Sequence, residues 1–576
     1  MTPRGQRFRL GFLVTMVGMA FSGVAGKLIW LHTLGPYDDL RVDIAEHRRF
    51  ETETKGARGR VVDRNGRIMA LDLGRANVAV DPSYLAQKNT NVMDVCKFLS
   101  GHLQMDLAMV KNQLLVSDKK YTMLKRAVPV DVAEQIRDRN IKGVILENVT
   151  KRYYPHKNLM SHVVGFSNFH GDGSLGIEQT MDEYLKGKTG LRIGVKDGLR
   201  SEVYGHREME IEAKPGNNVV LTIDQYLQYH VEQELSRAIT NFNAKGAWAI
   251  VMETRTGDIL AMGSKPDFDL NEYGRTGGEL MRNQAISYLY EPGSAVKPLI
   301  FAAALNEGLV DPNEEIDCEG GAWRYANATL HDYHGYDLLT AADVLKKSSN
   351  IGTAKIALRL GDDLANRYLR QFGMGAKTGI MLPGEQQGIF RQPDRWQKIS
   401  LTRLAIGHEM SQTSLQVLCA INTIANNGFR VKPQIIRRIA DNDGNVIHEF
   451  HPQVIDQPIR REVAQHVQFL MGRITDKGGT GWRAAMDHYK VAGKTGTAEK
   501  VINGRYDRRK NIASFVGFLP AENPQITMIV AIDEPTTHRT GGVTAAPVFK
   551  RIAERAVRIL NVPPSPPQEA TDRATL

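Results

Sequence analysis

An apolar stretch runs from Leu10 to Leu31, about 20 residues, enough to cross a hydrocarbon core of roughly 30 Å as one helix. Arg4, Arg7 and Arg9 precede it, and near its far end Lys27 can lift its amine toward the interface, where Trp30 also belongs. Leu10 to Ala25, closed by Gly23-Val24-Ala25, also fits a cleaved secretory signal. The apolar character of Leu28, Ile29, Trp30 and Leu31 favours an uncleaved anchor. Three arginines before the segment, against Asp38, Asp39, Asp43 and Glu46 after it, predict a cytoplasmic N-terminus with the rest of the chain outside the cytoplasm.

From about residue 34 to 220, short strand-like runs alternate with turns. Gly59 to Gly66 ends in an Asn-Gly turn, and Asn77 to Val80 alternates. Asp131 to Arg139 and Gln179 to Leu185 read as short helices, and Gly171 to Gly176 as a loop. No compact cluster of reactive residues falls here, so a structural or docking module is expected. Lys214-Pro215-Gly216-Asn217-Asn218 marks a boundary, followed by a helix from Tyr226 to Phe242.

Beyond it, Trp248 to Glu253 and Ile259 to Met262 flank a turn and predict a hairpin. Val491 to Val501, Ile512 to Leu519 and Gln525 to Ile532 are three further strands, joined through Asn503-Gly504 and through Pro520 to Pro524. Five hairpin-linked strands predict an antiparallel sheet. Pro547 opens an amphipathic helix whose Val548, Phe549, Ile552, Ala553, Ala556 and Leu560 share the face that packs on it. Helical segments fill the long insertion between the second and third strands. The fold class is therefore α/β (α+β), a sheet layer with a helical lobe. Pro563, Pro564, Pro566 and Pro567 open a tail, 563–576, expected to be mobile.

Composition changes this picture little. At 576 residues, with 42% hydrophobic and 24% charged residues, the chain matches folded proteins of more than one domain, neither disordered nor polytopic. The net charge of +10 could suit nucleic acid, a membrane face or an anionic polymer, yet no nucleic-acid motif accompanies it. Cys96, Cys318 and Cys419 are widely spaced, so buried thiols are expected rather than a disulfide or a metal site.

The chemistry lies in three short motifs that recur together in serine acyl-transfer enzymes: S-x-x-K, S-x-N and K-T-G. S-x-x-K occurs at Ser117 to Lys120 and at Ser294 to Lys297, and K-T-G begins at Lys188, Lys377 and Lys494. Context separates the copies. Ser117 sits in a charged patch, whereas Ser294-Ala295-Val296-Lys297 precedes the apolar run Leu299 to Leu305. Pro298 is tolerated only in a first helical turn, so the helix starts near Ser294 and sets Lys297 on the same face one turn on. A lysine sequestered there has a lowered pKa and can serve as a base. Ser348-Ser349-Asn350 is the S-x-N element; by itself it also reads as a helix N-cap. Of the K-T-G copies, Lys494 has strand context and extends to Lys494-Thr495-Gly496-Thr497.

With Arg58-Gly59, Asp63-Arg64-Asn65-Gly66, Arg152-Tyr153-Tyr154-Pro155 and Gly176-Ile177-Glu178 upstream, the chain resembles a class B penicillin-binding protein from the anchor to about residue 562. Lys196-Asp197 and the flanks Tyr290-Glu291-Pro292-Gly293 and Ser348 to Gly352 look most like the septal, cell-division member. The layout resembles the monofunctional Gram-negative one, with neither a glycosyltransferase domain before the pedestal nor an appended repeat after 562. The resemblance implies a cytoplasmic tail (1–9), an anchor (10–33), a pedestal of dimerisation type (34–220) and a transpeptidase domain (221–562), extracytoplasmic and held in the inner membrane.

It also implies a reaction. Ser294 would attack the carbonyl between two terminal D-alanines of a peptidoglycan stem peptide, losing its proton toward Lys297. Ser348 would protonate the leaving D-alanine and Asn350 would position the peptide. Lys494, Thr495, Gly496 and Thr497 would form the strand that holds the terminal carboxylate, with the amides of Ser294 and Thr497 as the oxyanion hole. The resemblance brings in no metal or organic cofactor. β-Lactams are expected to acylate Ser294 with slow turnover, and a membrane-embedded glycan polymerase of the shape-elongation-division-sporulation (SEDS) family and divisome proteins are the expected partners. An elongation-type enzyme, a β-lactamase and a non-catalytic division scaffold are the alternatives.

Overall fold

The computed structural model describes residues 3–33, 48–87, 91–115, 119–195, 203, 207–502 and 504–566. Asp38, Asp39, Asp43, Glu46, Ser117, Lys196, Asp197, Asn503 and Pro567 lie outside them. The chain divides into two compact units, residues 1–57 with 187–215 and residues 58–186 with 216–576.

In the first unit, Pro3–Thr33 is one helix. Its segment Phe8–Trp30 has a mean hydropathy of 1.7, and none of it is buried against protein. Those 23 residues reach about 35 Å, enough to span a hydrocarbon core of roughly 30 Å. Strands Arg49–Thr54, Gly190–Val195 and Met209–Ile211 form a small antiparallel sheet in the same unit.

The second unit begins with a seven-stranded sheet. Ile68–Val80 pairs with Thr122–Pro129 and Val144–Tyr153 and, through Val61–Val62, is joined to Asn218–Leu221. That last strand pairs on its other side with Ile436–Ala440, from far along the chain. The sheet therefore crosses the expected boundary near 221. Beneath it lies a buried ionic cluster: Glu178, wholly inaccessible, accepts from Arg58 Nε and Arg152 Nε at 2.6 Å each. Arg58 also reaches Asp182, and Arg152 reaches Asp72. Glu178→Ala leaves two buried guanidinium groups without their shared carboxylate, so a loss of about 3–5 kcal/mol is expected in thermal unfolding of the detergent-solubilised protein.

The central sheet consists of β1 (Gly246–Glu253), β2 (Ile259–Lys265), β3 (Ala492–Ile502), β4 (Arg505–Leu519) and β5 (Ile526–Asp533). The order is β2-β1-β5-β4-β3, antiparallel throughout, as the hairpin pattern predicts. Both faces are covered, and successive side chains point to opposite sides. Ala247, Ala249 and Val251 pack under α1 (Gln225–Phe242), in the same cluster as Val548, Phe549 and Ile552 of the C-terminal helix described below. Trp248, Ile250 and Met252 face the helical lobe.

That lobe includes α2 (Lys297–Asn306), α3 (Asn350–Gln371), α4 (Ser414–Ala425) and α5 (Arg461–Gly472); α6 (Ala545–Ile559) is the C-terminal helix. It starts two residues before Pro547, because a proline within the first turn removes an amide hydrogen that needs no partner there.

Other differences are local. The expected helix Gln179 to Leu185 is two short helices, Gly176–Thr180 and Asp182–Leu185, broken at Met181. The strand expected from Ile512 begins at Arg505. The tail is not loose at its start: Ser565 N donates to His488 O at 3.0 Å and Lys490 N to Ser565 Oγ at 2.8 Å. Cys96, Cys318 and Cys419 are free and buried.

Candidate active site

Ser294 sits in a 3₁₀ turn, Gly293–Val296, that feeds directly into α2. Two glycines shape this turn. Gly293 has φ +56° and its Cβ position lies 3.0 Å from Thr497 O, so a side chain there is both strained and crowded. Gly407 has φ +79°, and a Cβ on it would overlap Gly293 O; Gly293 N donates to Gly407 O at 3.3 Å. β3 lies against the same turn, since a Cβ on Gly496 would come within 3.1 Å of Pro292 O.

Lys297 opens α2 and is completely buried. Its Nζ donates to Ser348 O at 2.6 Å, Asn350 Oδ1 at 2.7 Å and Ser348 Oγ at 3.2 Å. Burial pushes its pKa down to about 7 against a partial offset from Asp332. Ser348 occupies the left-handed region, φ +62°, between helix Ala341–Lys347 and α3. Its neighbour Ser349 caps α3, accepting from Gly352 N at 2.9 Å. The cap and the site are thus carried by adjacent residues of one motif.

Lys494 is also fully buried on β3, its Nζ donating to Thr495 O at 3.0 Å and Thr495 Oγ1 at 3.3 Å. Burial, and then the charge of Lys297, hold its pKa well below the usual lysine value. Two buried ammonium groups that repel each other favour loss of a proton from one of them. Thr497 is exposed, and its Oγ1 accepts from Gly541 N at 3.2 Å.

The structure thus gathers Ser294, Lys297, Ser348, Asn350 and the strand Lys494-Thr495-Gly496-Thr497 in one place. The other K-T-G copies are elsewhere. Lys188 belongs to the unit of residues 1–57 and 187–215. At Lys377, Thr378 N, Thr378 Oγ1 and Gly379 N donate to the carboxylate of Glu385 at 2.7, 2.6 and 3.2 Å, so that copy is a turn closed on an internal anion.

Two neighbours are absent from the sequence reading. Asp332 accepts from Ser349 Oγ at 2.6 Å, from Ile351 N at 3.1 Å and from Asn350 N, tying down the start of α3. Asn350 Nδ2 in turn donates to His331 O at 2.7 Å. His408 stacks on Tyr506 with centroids 5.6 Å apart, and burial, with Arg403 and Lys297 nearby, lowers its pKa to about 4. It is neutral at physiological pH. No local motif marks either residue.

A five-stranded antiparallel sheet carrying K-T-G at one edge, with S-x-x-K and S-x-N on helices beside it, is the architecture of a penicillin-recognising acyltransferase. The family description "Penicillin binding protein transpeptidase domain" matches residues 247–554, and "Penicillin-binding Protein dimerisation domain" matches residues 53–221. Escherichia coli peptidoglycan D,D-transpeptidase FtsI is 31% identical over 566 residues, 97% of this chain and 92% of that protein. PenA of Neisseria meningitidis, described as a probable peptidoglycan D,D-transpeptidase, is 31% identical over 99% of this chain and 95% of that one. Penicillin-binding protein 3 of Mycobacterium tuberculosis, crystallised with aztreonam, superposes with a TM-score of 0.69 at 28% identity, over 90% of this chain and 99% of that chain. The chain belongs to the class B penicillin-binding proteins, the peptidoglycan D,D-transpeptidases.

Proposed function

We propose that the chain cross-links peptidoglycan stem peptides through an acyl-enzyme on Ser294, in septal wall synthesis during division. The observation that carries the reading is the Lys297 amine, fully buried, with its pKa near 7 and its protons directed at Ser348 and Asn350. A neutral amine one turn from the serine hydroxyl is the base that nucleophile needs. Ser294 Oγ attacks the penultimate D-alanine carbonyl, its proton passing to Lys297 and then through Ser348 to the leaving D-alanine. Ser294 N and Thr497 N face the developing oxyanion. Thr495, Thr497 and Lys494 on the Gly496 strand receive the terminal carboxylate. That carboxylate also supplies a counter-anion for Lys494: it returns Lys494 to the ammonium form, whose charge in turn keeps Lys297 neutral. An amine from a neighbouring stem then attacks the ester and releases Ser294.

The family matches at 53–221 and 247–554 support a pedestal over 34–220 and a transpeptidase domain over 221–562. The arginines before the apolar helix support a cytoplasmic N-terminus and an extracytoplasmic catalytic domain at the inner membrane. In this reading the helix also brings the chain to a SEDS-family glycan polymerase and to divisome proteins.

Intact-protein mass spectrometry of the detergent-solubilised chain with benzylpenicillin tests the site. A single adduct lasting hours, absent from Ser294→Ala, is expected. Rapid loss of the adduct with drug hydrolysis points to a β-lactamase, and no adduct to a scaffold.

A further inference from the structure

Asp332, which fixes the start of α3, begins a loop in which Tyr333, His334 and Tyr336 put three aromatic rings within four residues. Tyr333 is 86% exposed. Its ring meets His334 edge-on at 4.9 Å, and His334 meets Tyr336 at 6.3 Å. The loop is fixed at its base, because Asp332 N donates to Gly321 O at 3.1 Å and Cys318 N to Asp337 O at 2.6 Å. Next to it, Trp323 and Tyr325 stack at 4.9 Å on a hairpin that ends at His331, the residue whose carbonyl holds Asn350. Lys355 lies 5.4 Å over Trp323 and covers that ring. Tyr333 is left as an exposed aromatic ring on a loop anchored at both ends, one residue from the Asp332 that holds the S-x-N motif.

We propose that Tyr333, backed by His334 and Tyr336, is a stacking platform for a sugar ring of the glycan strand that carries the stem peptide. The inference rests on the stem-peptide reading above and adds a second recognition element to it. An aromatic face is electron-rich, and the axial C–H bonds of a pyranose present a weakly positive, apolar face of matching size. A sugar ring, with an apolar C–H face, suits an exposed phenol ring better than a phosphate does. A stem of five extended residues spans about 17 Å, and Tyr333 follows Asp332, the acceptor for Ser349 Oγ and Asn350 N.

The test uses full-length protein in detergent and two competitors of fluorescent-penicillin acylation: a stem pentapeptide and the same pentapeptide on its disaccharide. The disaccharide form is expected to compete roughly three- to tenfold better. Tyr333→Ala should erase that advantage while leaving the acylation rate and the bare peptide's affinity unchanged, and Tyr333→Trp should keep it. An advantage that is missing from the unaltered chain, or that survives Tyr333→Ala, overturns the platform, as does an equal loss for both competitors. Saturation-transfer NMR with chitotetraose reads sugar contact without any acylation. Transfer lost in Tyr333→Ala supports the platform even if no penicillin adduct forms, and no transfer to the unaltered chain refutes it even if the adduct does.

Discussion

Lys297→Met is expected to acylate with benzylpenicillin about a hundred to ten thousand times more slowly than the unaltered chain, the usual contribution of a positioned general base. Methionine fills nearly the same buried volume, so packing around α2 is retained while the amine is lost. The pH dependence identifies the cause. Only the neutral amine accepts the serine proton, so the acylation rate of the unaltered chain rises with pH through about 7 and then levels. The variant shows no such limb. Stability follows the same titration: Lys297 holds its proton less tightly folded, near 7, than unfolded, at 10.5. Between those values the unfolded chain binds more protons, so the unaltered chain gains stability relative to Lys297→Met as pH rises across that window. A rate limb that persists in the variant would assign the base elsewhere.

Asp332→Ala should lower the acylation rate about tenfold to a hundredfold, although Asp332 touches none of the four K-T-G-T residues. Three donors at the start of α3, Ser349 Oγ, Asn350 N and Ile351 N, lose their acceptor together, and the Ser348 and Asn350 groups that hold the Lys297 amine shift with them. Displacements below an ångström at a reacting centre have costs of that order. The change also has an electrostatic signature. Asp332 raises the pKa of Lys297, so removing it moves the rate limb to lower pH while the plateau falls. Stopped-flow acylation across pH 5–9 reads both. A lower plateau with an unmoved limb would leave Asp332 a purely mechanical part.

What could be read from the sequence was local. β1 and β5 announce themselves because strands covered on both faces are continuous apolar runs. Ser294 and Lys494 could be picked from competing copies, and Ser348 from the one S-x-N in the sequence, because helix, cap and strand contexts extend only a few residues. Asp332 could not be found that way: it acts on a helix that starts 18 residues later, and its own loop has neither period nor motif. His408 is silent for the same reason, its partner Tyr506 lying on another element. The outer half of β4, from Arg505 to Lys510, is a polar ribbon, so no burial pattern marks it as strand. The turn-rich stretch before residue 221 looked like a boundary because composition shifts there, yet the strand Asn218–Leu221 is shared between partners 158 and 218 residues away in the chain, which only pairing reveals.

That shared strand bears on how the protein can be handled. Releasing the C-terminal portion by cutting at 221 would strip Ile436–Ala440 of its neighbour and leave a row of unanswered amide and carbonyl groups along a buried edge, an invitation to self-association. Ile436–Ala440 and Asn218–Leu221 belong to one sheet of the unit that starts at Arg58, so drug-binding studies on a shortened chain need the segment from Arg58 onward to present a native surface.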